Sequence, residues 1–228
     1  MKVLPSVRRA GGVAAILVAA CAAPPPQATS VGEMPFEQAV AQATDGLVGQ
    51  VQKGPAILAK LSKRTVVLDP MLDAATGQQT AATALLETRV GERLAAKPDV
   101  FEILPFQSDN LSKAQLLLTG TMTRVEGDGT TKKRALQIQL ALTDLKTGVV
   151  AAQASALARD DGLDHTPLPY YRDSPVLVKD KVIEGYARTS ATPPGQRGDA
   201  FYLERISEAM LINEATSLYN QELSLIHI

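Results

Sequence analysis

From Arg134 to Asp144 the chain alternates strictly. Leu136, Ile138, Leu140 and Leu142 fall at one parity, and Gln137, Gln139 and Thr143 at the other. A period of two is the mark of a strand with one face turned to a core. Four branched aliphatics on one face need another layer to cover them, so this stretch commits the chain to a sheet. Its neighbours extend the pattern into an antiparallel meander. Leu116 to Val125 reads as a strand, followed by a turn at Glu126-Gly127-Asp128-Gly129. After Asp144, Lys146-Thr147-Gly148 reads as a tight turn in which glycine supplies a positive φ. Val149 to Leu157 then returns with Ala152, Ala154 and Ala156 on one face.

Upstream the period changes to 3.6. Phe36, Ala39, Val40, Ala43, Leu47, Val48 and Val51 predict a helix over 36–51, ended by Gly54-Pro55. Arg64 to Pro70 is a β-branched run, apolar on both faces, and reads as a central buried strand. Residues 71–79 read as a polar loop. Ala82, Leu86, Val90 and Leu94 then place a helix over 80–96, and Val100 to Leu104 forms a second strand closed by Pro105. The order helix, strand, helix, strand and then three antiparallel strands predicts an α/β sandwich on a mixed sheet. Further on, Ser174-Pro175 suits a helix start running to about Ala187. Residues 189–198 read as a linker, and Asp199 caps a helix through Asn220 that carries Phe201, Leu203, Ile206, Met210, Leu211, Ala215 and Leu218.

The N-terminus is of another kind. Lys2, Arg8 and Arg9 precede an apolar stretch from Ala10 to Ala20, and the only cysteine, Cys21, follows. A basic start, a short apolar run and small residues at the cut are the parts of a secretory signal. About eleven residues are too few to span a bilayer as a helix. Val18-Ala19-Ala20-Cys21 resembles the lipobox of bacterial lipoproteins. The resemblance implies cleavage between Ala20 and Cys21 and acylation of Cys21, with palmitate among the chains. Ala22 stands where an aspartate would retain such a protein in the inner membrane, so the resemblance implies the periplasmic face of the outer membrane. Residues 22–35, rich in proline, then read as a tether. Losing Lys2, Arg8 and Arg9 leaves 20 basic residues against 24 acidic, a net charge of −4. That balance offers no basic face for nucleic acid. An acylated Cys21 leaves no thiol for a disulfide, nucleophile or metal site.

Arg64 to Leu157 resembles a periplasmic α/β domain of several envelope lipoprotein families. These are the curli-export lipoprotein, the lipoprotein activators of penicillin-binding proteins, and the flagellar lipoprotein FlgO. The likeness rests on Thr65-Val66-Val67-Leu68-Asp69-Pro70, Leu116-Leu117-Leu118-Thr119-Gly120-Thr121 and Leu142 to Val150. Glu208 to Gln221 resembles the first helix of a tetratricopeptide repeat, a unit that is stable only when stacked. The layout is similar to lipoproteins ending in an OmpA-like domain, which would bind peptidoglycan through a region beyond this chain. The terminal Leu223-Ser224-Leu225-Ile226-His227-Ile228 matches the translation of a sequencing-library adapter. The expected organisation is therefore a signal at 1–20, a lipidated tether at 21–35 and an α/β domain at 36–158. An irregular segment, helix and linker follow at 159–198, a repeat helix at 199–222, and adapter at 223–228.

Few constellations suggest chemistry. Asp160, Asp161, Asp164 and His165 form an oxygen-rich loop that could take a divalent ion, but without EF-hand spacing it reads as a solvated acidic loop, and no metal is expected. Asp69 and Asp73 flank a strand end, where α/β folds place acids, and would serve an envelope hydrolase. Neither a nucleophile elbow nor a phosphate loop is present. Pro167 to Arg172 contains Tyr170, Tyr171 and Arg172, residue types enriched at interfaces, and reads as an interaction patch. The expectation is a non-enzymatic envelope scaffold without cofactor. Its partners would be the membrane through the lipid anchor and periplasmic or outer-membrane proteins. A peptidoglycan or ligand binder and a hydrolase are the alternatives.

Overall fold

The computed structural model describes residues 33–53, 63–126, 134–169 and 180–226. Its helices are α1 (Phe36–Lys53), α2 (Ala81–Ala95), α3 (Ser108–Leu111), α4 (Lys181–Ala191) and α5 (Ala200–Ile226). The strands are β1 (Arg64–Leu68), β2 (Leu72–Asp73), β3 (Phe101–Leu104), β4 (Leu116–Glu126), β5 (Arg134–Asp144) and β6 (Val150–Arg159). They make one mixed sheet of order β3-β1-β4-β5-β6. β1 is parallel to β3 and β4, whereas β4, β5 and β6 form the antiparallel meander. The mixed α/β sandwich read from the sequence is the fold observed.

The predicted parity holds along β5. Leu136, Ile138, Leu140 and Leu142 are at most 1% exposed, and Gln137 and Gln139 are half-buried. The aliphatic face meets α1 and α2 through Ala39, Val40, Ala43, Leu47, Leu86, Val90 and Leu94. Small residues let α1 lie close to β6, where a Cβ on Gly46 would stand 3.2 Å from that of Ala154. The free edge of β6 is covered as well. Met34 exchanges backbone bonds with Leu157 and Arg159, and the Gln50 amide donates to Gln153 O at 2.6 Å and accepts from its N–H at 3.1 Å. Such cover removes an edge that could pair with another chain. The β5–β6 turn has Gly148 at φ +71°, as the sequence requires.

Residues 71–79, expected as a polar loop, contain β2. Leu72 and Asp73 pair in parallel with Thr121 and Met122 of β4, beyond the point where β1 ends. Two residues are too short to show a period. They are held by a turn in which Asp73 Oδ1 accepts from the N–H groups of Ala75 (2.8 Å) and Thr76 (3.0 Å), and Gly77 takes φ +73°. The helix expected from Ser174 to Ala187 is also corrected. Ser174 and Pro175 lie outside the described residues. α4 starts at Lys181, where Asp180 caps the N–H of Ile183 at 2.9 Å, and it ends at Ala191, ahead of Thr192-Pro193.

The second face of the sheet is covered by α4 and the first turns of α5. Here the core is smaller: Val67, Leu117 and Leu111 meet Tyr186, Tyr202, Leu203 and Ile206. The described chain thus forms three layers, with the sheet in the middle.

Candidate interaction surface

β1 and β2 both pair with the same edge of β4 but leave a gap between Leu68 and Leu72. Asp69, Pro70 and Met71 cross that gap, and Asp69 N–H still reaches Leu118 O at 2.9 Å. The gap leaves the edge groups of Gly120 on β4 without a strand partner. The Tyr186 hydroxyl of α4 takes their place. It accepts from Gly120 N–H at 2.8 Å and shares its proton between Gly120 O (3.1 Å) and Pro70 O (3.0 Å). Next to it the Tyr202 hydroxyl of α5 donates to Asp69 Oδ2. The two tyrosine rings meet edge to face, centroids 5.5 Å apart at 80°, a favoured aromatic geometry.

α5 is fixed at its start by Asp199. Its Oδ1 accepts from the N–H groups of Phe201 and Tyr202, each at 3.1 Å, and its Oδ2 from Arg188 Nε at 3.0 Å. These bonds outweigh burial and hold the Asp199 carboxyl below its ordinary range. Gly185 lets α4 and α5 touch: a Cβ there would stand 2.9 Å from Tyr202 Cβ and would also strike the Asp199 carboxylate.

This anchor is electrostatically costly. Burial raises the Asp69 carboxyl to about 7; the Tyr202 bond works against the rise, and nearby Glu87 adds to it. Glu87, itself raised by burial, accepts from Met71 N–H at 3.2 Å and Gln79 Nε2 at 3.0 Å. Burial, with Asp69 nearby, pushes both tyrosines well above their ordinary value. The same face of the sheet buries Thr119, Thr121 and Thr143, whose hydroxyls find no hydrogen-bond partner among the described residues. Each such group costs about 1–3 kcal/mol if nothing satisfies it.

Beyond Met210, α5 leaves the domain. Leu211, Ile212, Leu218 and Tyr219 are 57–67% exposed. The projecting stem and the domain enclose a cleft of about 980 Å³, lined in part by Asp109, Lys113, Leu145, Met210, Leu211 and Leu218. Glu208 and Glu214 edge this stretch, and no lysine or arginine follows Arg205. Exposed aliphatic and aromatic side chains in a row, rimmed by charge, are the make-up of a contact surface.

The residues singled out from the sequence fare differently. Ala20 and Cys21, and the patch Tyr170, Tyr171 and Arg172, lie outside the described residues. Asp73 spends its carboxylate on the turn after β2. Asp69 sits at a strand end as read, but its partner is a tyrosine from the far end of the chain. In the acidic loop, His165 Nε2 lies 2.5 Å from Asp160 Oδ1, with Arg124 Nε 3.5 Å from the other oxygen. Asp161 pairs with Arg159 at 3.3 Å, and Asp164 Oδ1 accepts from Thr166 N–H at 2.8 Å. The carboxylates therefore diverge. Among the described residues no group of three or more His, Cys, Asp or Glu converges on a metal position. Tyr186, Tyr202, Gly185 and Glu87 were not singled out from the sequence. The available hint was the scarcity of aromatics, since only five tyrosines occur in the chain and three of them, Tyr186, Tyr202 and Tyr219, fall on α4 and α5.

The fold and this surface define a three-layer α/β domain with a protruding C-terminal helix. No family model matches the chain, and no curated protein matches it in sequence. Among solved structures it is similar to the LpoB C-terminal domain from Salmonella enterica, at 11% identity and TM-score 0.35, over 53% of this chain and 98% of that one. It is similar to the PelC dodecamer subunit from Paraburkholderia phytofirmans at 14% identity and TM-score 0.32, over 42% and 70%. Protein XCC0632 from Xanthomonas campestris overlaps 70% of this chain and 90% of its own, at 10% identity and TM-score 0.31.

Proposed function

We propose that the chain is a lipoprotein anchored by Cys21 in the outer membrane, with its α/β domain in the periplasm, and that it works as a non-enzymatic scaffold in the cell envelope. The observation that carries this reading is Val18-Ala19-Ala20-Cys21 behind a basic start and a short apolar run. Two or more acyl chains on Cys21 hold a protein at a membrane, at about 0.8 kcal/mol per buried methylene. Residues 22–35 then act as a spacer, with proline keeping the chain extended at roughly 3 Å per residue. The contact surface is the α5 stem. Its occupant in this reading is a helical segment of a partner protein, with aliphatic residues against Leu211 and Leu218 and basic residues against Glu208 and Glu214. The carboxylates of Asp69 and Asp73 serve the fold in this reading and carry no turnover.

Metabolic labelling with palmitate tests the anchor. Label should enter the wild-type chain and be absent from Cys21→Ser, which should also leave the membrane fraction. Equal labelling of the two would overturn the anchor and the envelope role built on it.

A further inference from the structure

The two helical layers are attached to the sheet by different chemistry. α1 and α2 rest on a face of aliphatic and alanine side chains, almost all of them fully buried. α4 and the start of α5 rest on a face that buries Thr119, Thr121 and Thr143 without hydrogen-bond partners among the described residues. That face also buries the Asp69 carboxyl, and the groups around it come from three helices: Tyr202 of α5, Tyr186 of α4 and Glu87 of α2. The apolar part of this contact is small. We propose that α4 and the first turns of α5 open from the sheet together, without global unfolding, along the seam formed by the three threonines and the Asp69–Tyr202 contact.

The pivot is visible. The segment between α4 and α5 is bonded to the start of β6 and its turn: Gly195 N–H donates to Val150 O at 2.8 Å, Val150 N–H to Gln196 O at 2.9 Å, and Gly198 N–H to Gly148 O at 2.9 Å. These are backbone bonds of the connecting segment itself, and they can persist while the helices lift. Opening breaks the Tyr186 bonds to Gly120 and Pro70 and a modest apolar contact, and it lets water reach those groups, the orphan hydroxyls and the carboxyl, which offsets the loss. It exposes Val67, Leu117 and Leu111 and swings the α5 stem with its apolar side chains. A carboxylate at Asp69 is hydrated in the open form and buried in the closed one, so opening becomes easier as pH rises through the titration of that group. The layer is therefore a flap whose closure depends on pH and which moves the candidate contact surface as it opens. This inference stands on the packing of the described residues and not on the lipid anchor.

Native-state hydrogen exchange of the full-length chain under low denaturant tests it. Amides of Gly185–Ser190 and Tyr202–Ile206 should exchange as one group, at least about tenfold faster than those of Leu116–Met122 and Leu136–Leu142, and with a weaker dependence on denaturant. Val90→Ala, which loosens only the α2 layer, should speed exchange in β4 and β5 and leave the flap amides unchanged. Thr121→Val removes an orphan hydroxyl while keeping its shape and should slow the flap amides about tenfold. Asp69→Asn should slow them more at pH 8 than at pH 5, judged as protection relative to the free peptide rate. Flap amides that share the rate and denaturant dependence of the sheet, or that follow the sheet when Val90→Ala speeds it, would overturn the proposal. So would Thr121→Val leaving the flap unchanged, and that test stands even if Asp69→Asn does not fold.

Discussion

Asp69→Asn is expected to make the protein more stable at pH 8 and to change it little at pH 4. Asparagine keeps the shape of aspartate and can accept the Tyr202 hydroxyl through Oδ1, so the contact survives while the charge is removed. The folded protein binds the Asp69 proton up to about 7, against 3.8 for the free group. Between those two values the native state holds a proton that the unfolded state has lost, so stability falls as pH rises through the window. Below 3.8 both states are protonated and the term vanishes; above about 7 it is fully present as a destabilisation. At 1.36 kcal/mol per pH unit the difference amounts to about 4 kcal/mol. Nearly complete burial means that solvent screening does not discount it. Asp45 and Asp199 are held low, so their contribution has the opposite sign and is lost only as pH falls below the carboxylate range. Glu87 is raised by burial and contributes with the same sign in both proteins, and the variant also relieves its repulsion of the Asp69 charge. Urea unfolding midpoints from pH 4 to pH 8.5 measure the effect. The wild type should lose stability across the window while Asp69→Asn stays much flatter. Parallel curves for the two proteins would refute the reasoning, as would a variant that loses as much stability at pH 8 as at pH 4.

The remaining predictions concern packing. Leu140 is fully buried against the α1–α2 layer, so Leu140→Ala should cost about 2–5 kcal/mol in denaturant unfolding. A loss near zero would mean that β5 is in the wrong phase. Leu218 is 57% exposed on the α5 stem, and Leu218→Asp should shift stability by no more than about 0.5 kcal/mol. A large loss there would show that the stem is packed within the domain, and thermal melts of the purified chain decide it.

The elements legible from sequence are those whose side chains repeat with one environment. β5 shows a clean period of two because one face meets a helical layer and the other meets a smaller, more polar one. The alanines of β6 were legible as a face for the same reason, and the structure adds that α1 lies close above them. β1 was legible from its β-branched run, since β3 and β4 flank it and helices cover both sides. β2 was not, because two residues carry no period and it exists through an aspartate turn and the edge left by β1. The candidate site was half legible. Asp69 was flagged by its place at a strand end, but its role depends on Tyr202, 133 positions away. Local spacing has no access to such a pair. The acidic loop shows the converse, residues close in sequence whose side chains take separate partners. His165 stays with Asp160, while Asp161 pairs with Arg159 and Asp164 accepts from Thr166 N–H, so the carboxylates do not converge.

The face that sequence patterning read least well is also the one that departs most from ordinary core chemistry. Thr119 and Thr121 in β4 pass as typical strand residues by propensity. Their hydroxyls matter only because α4 comes down on them, and Gly185 lets α5 lie against α4 there by admitting Tyr202 and Asp199 beside it. Tyr186 then reaches an edge left open by the gap between β1 and β2. Each of these features is permissive by itself and costly in combination: a buried carboxyl, two buried phenols and three hydroxyls without partners among the described residues, all on one side of one sheet. A domain held only for stability would be expected to fill such a face with aliphatic residues, as the other face of the same sheet does. Local rules broken together in one place mark positions under another constraint, and here that place is the root of the helix whose far end carries the exposed apolar surface. The root and the stem of α5 are therefore read together, with the attachment weak enough to be adjusted and the surface placed where that adjustment would move it.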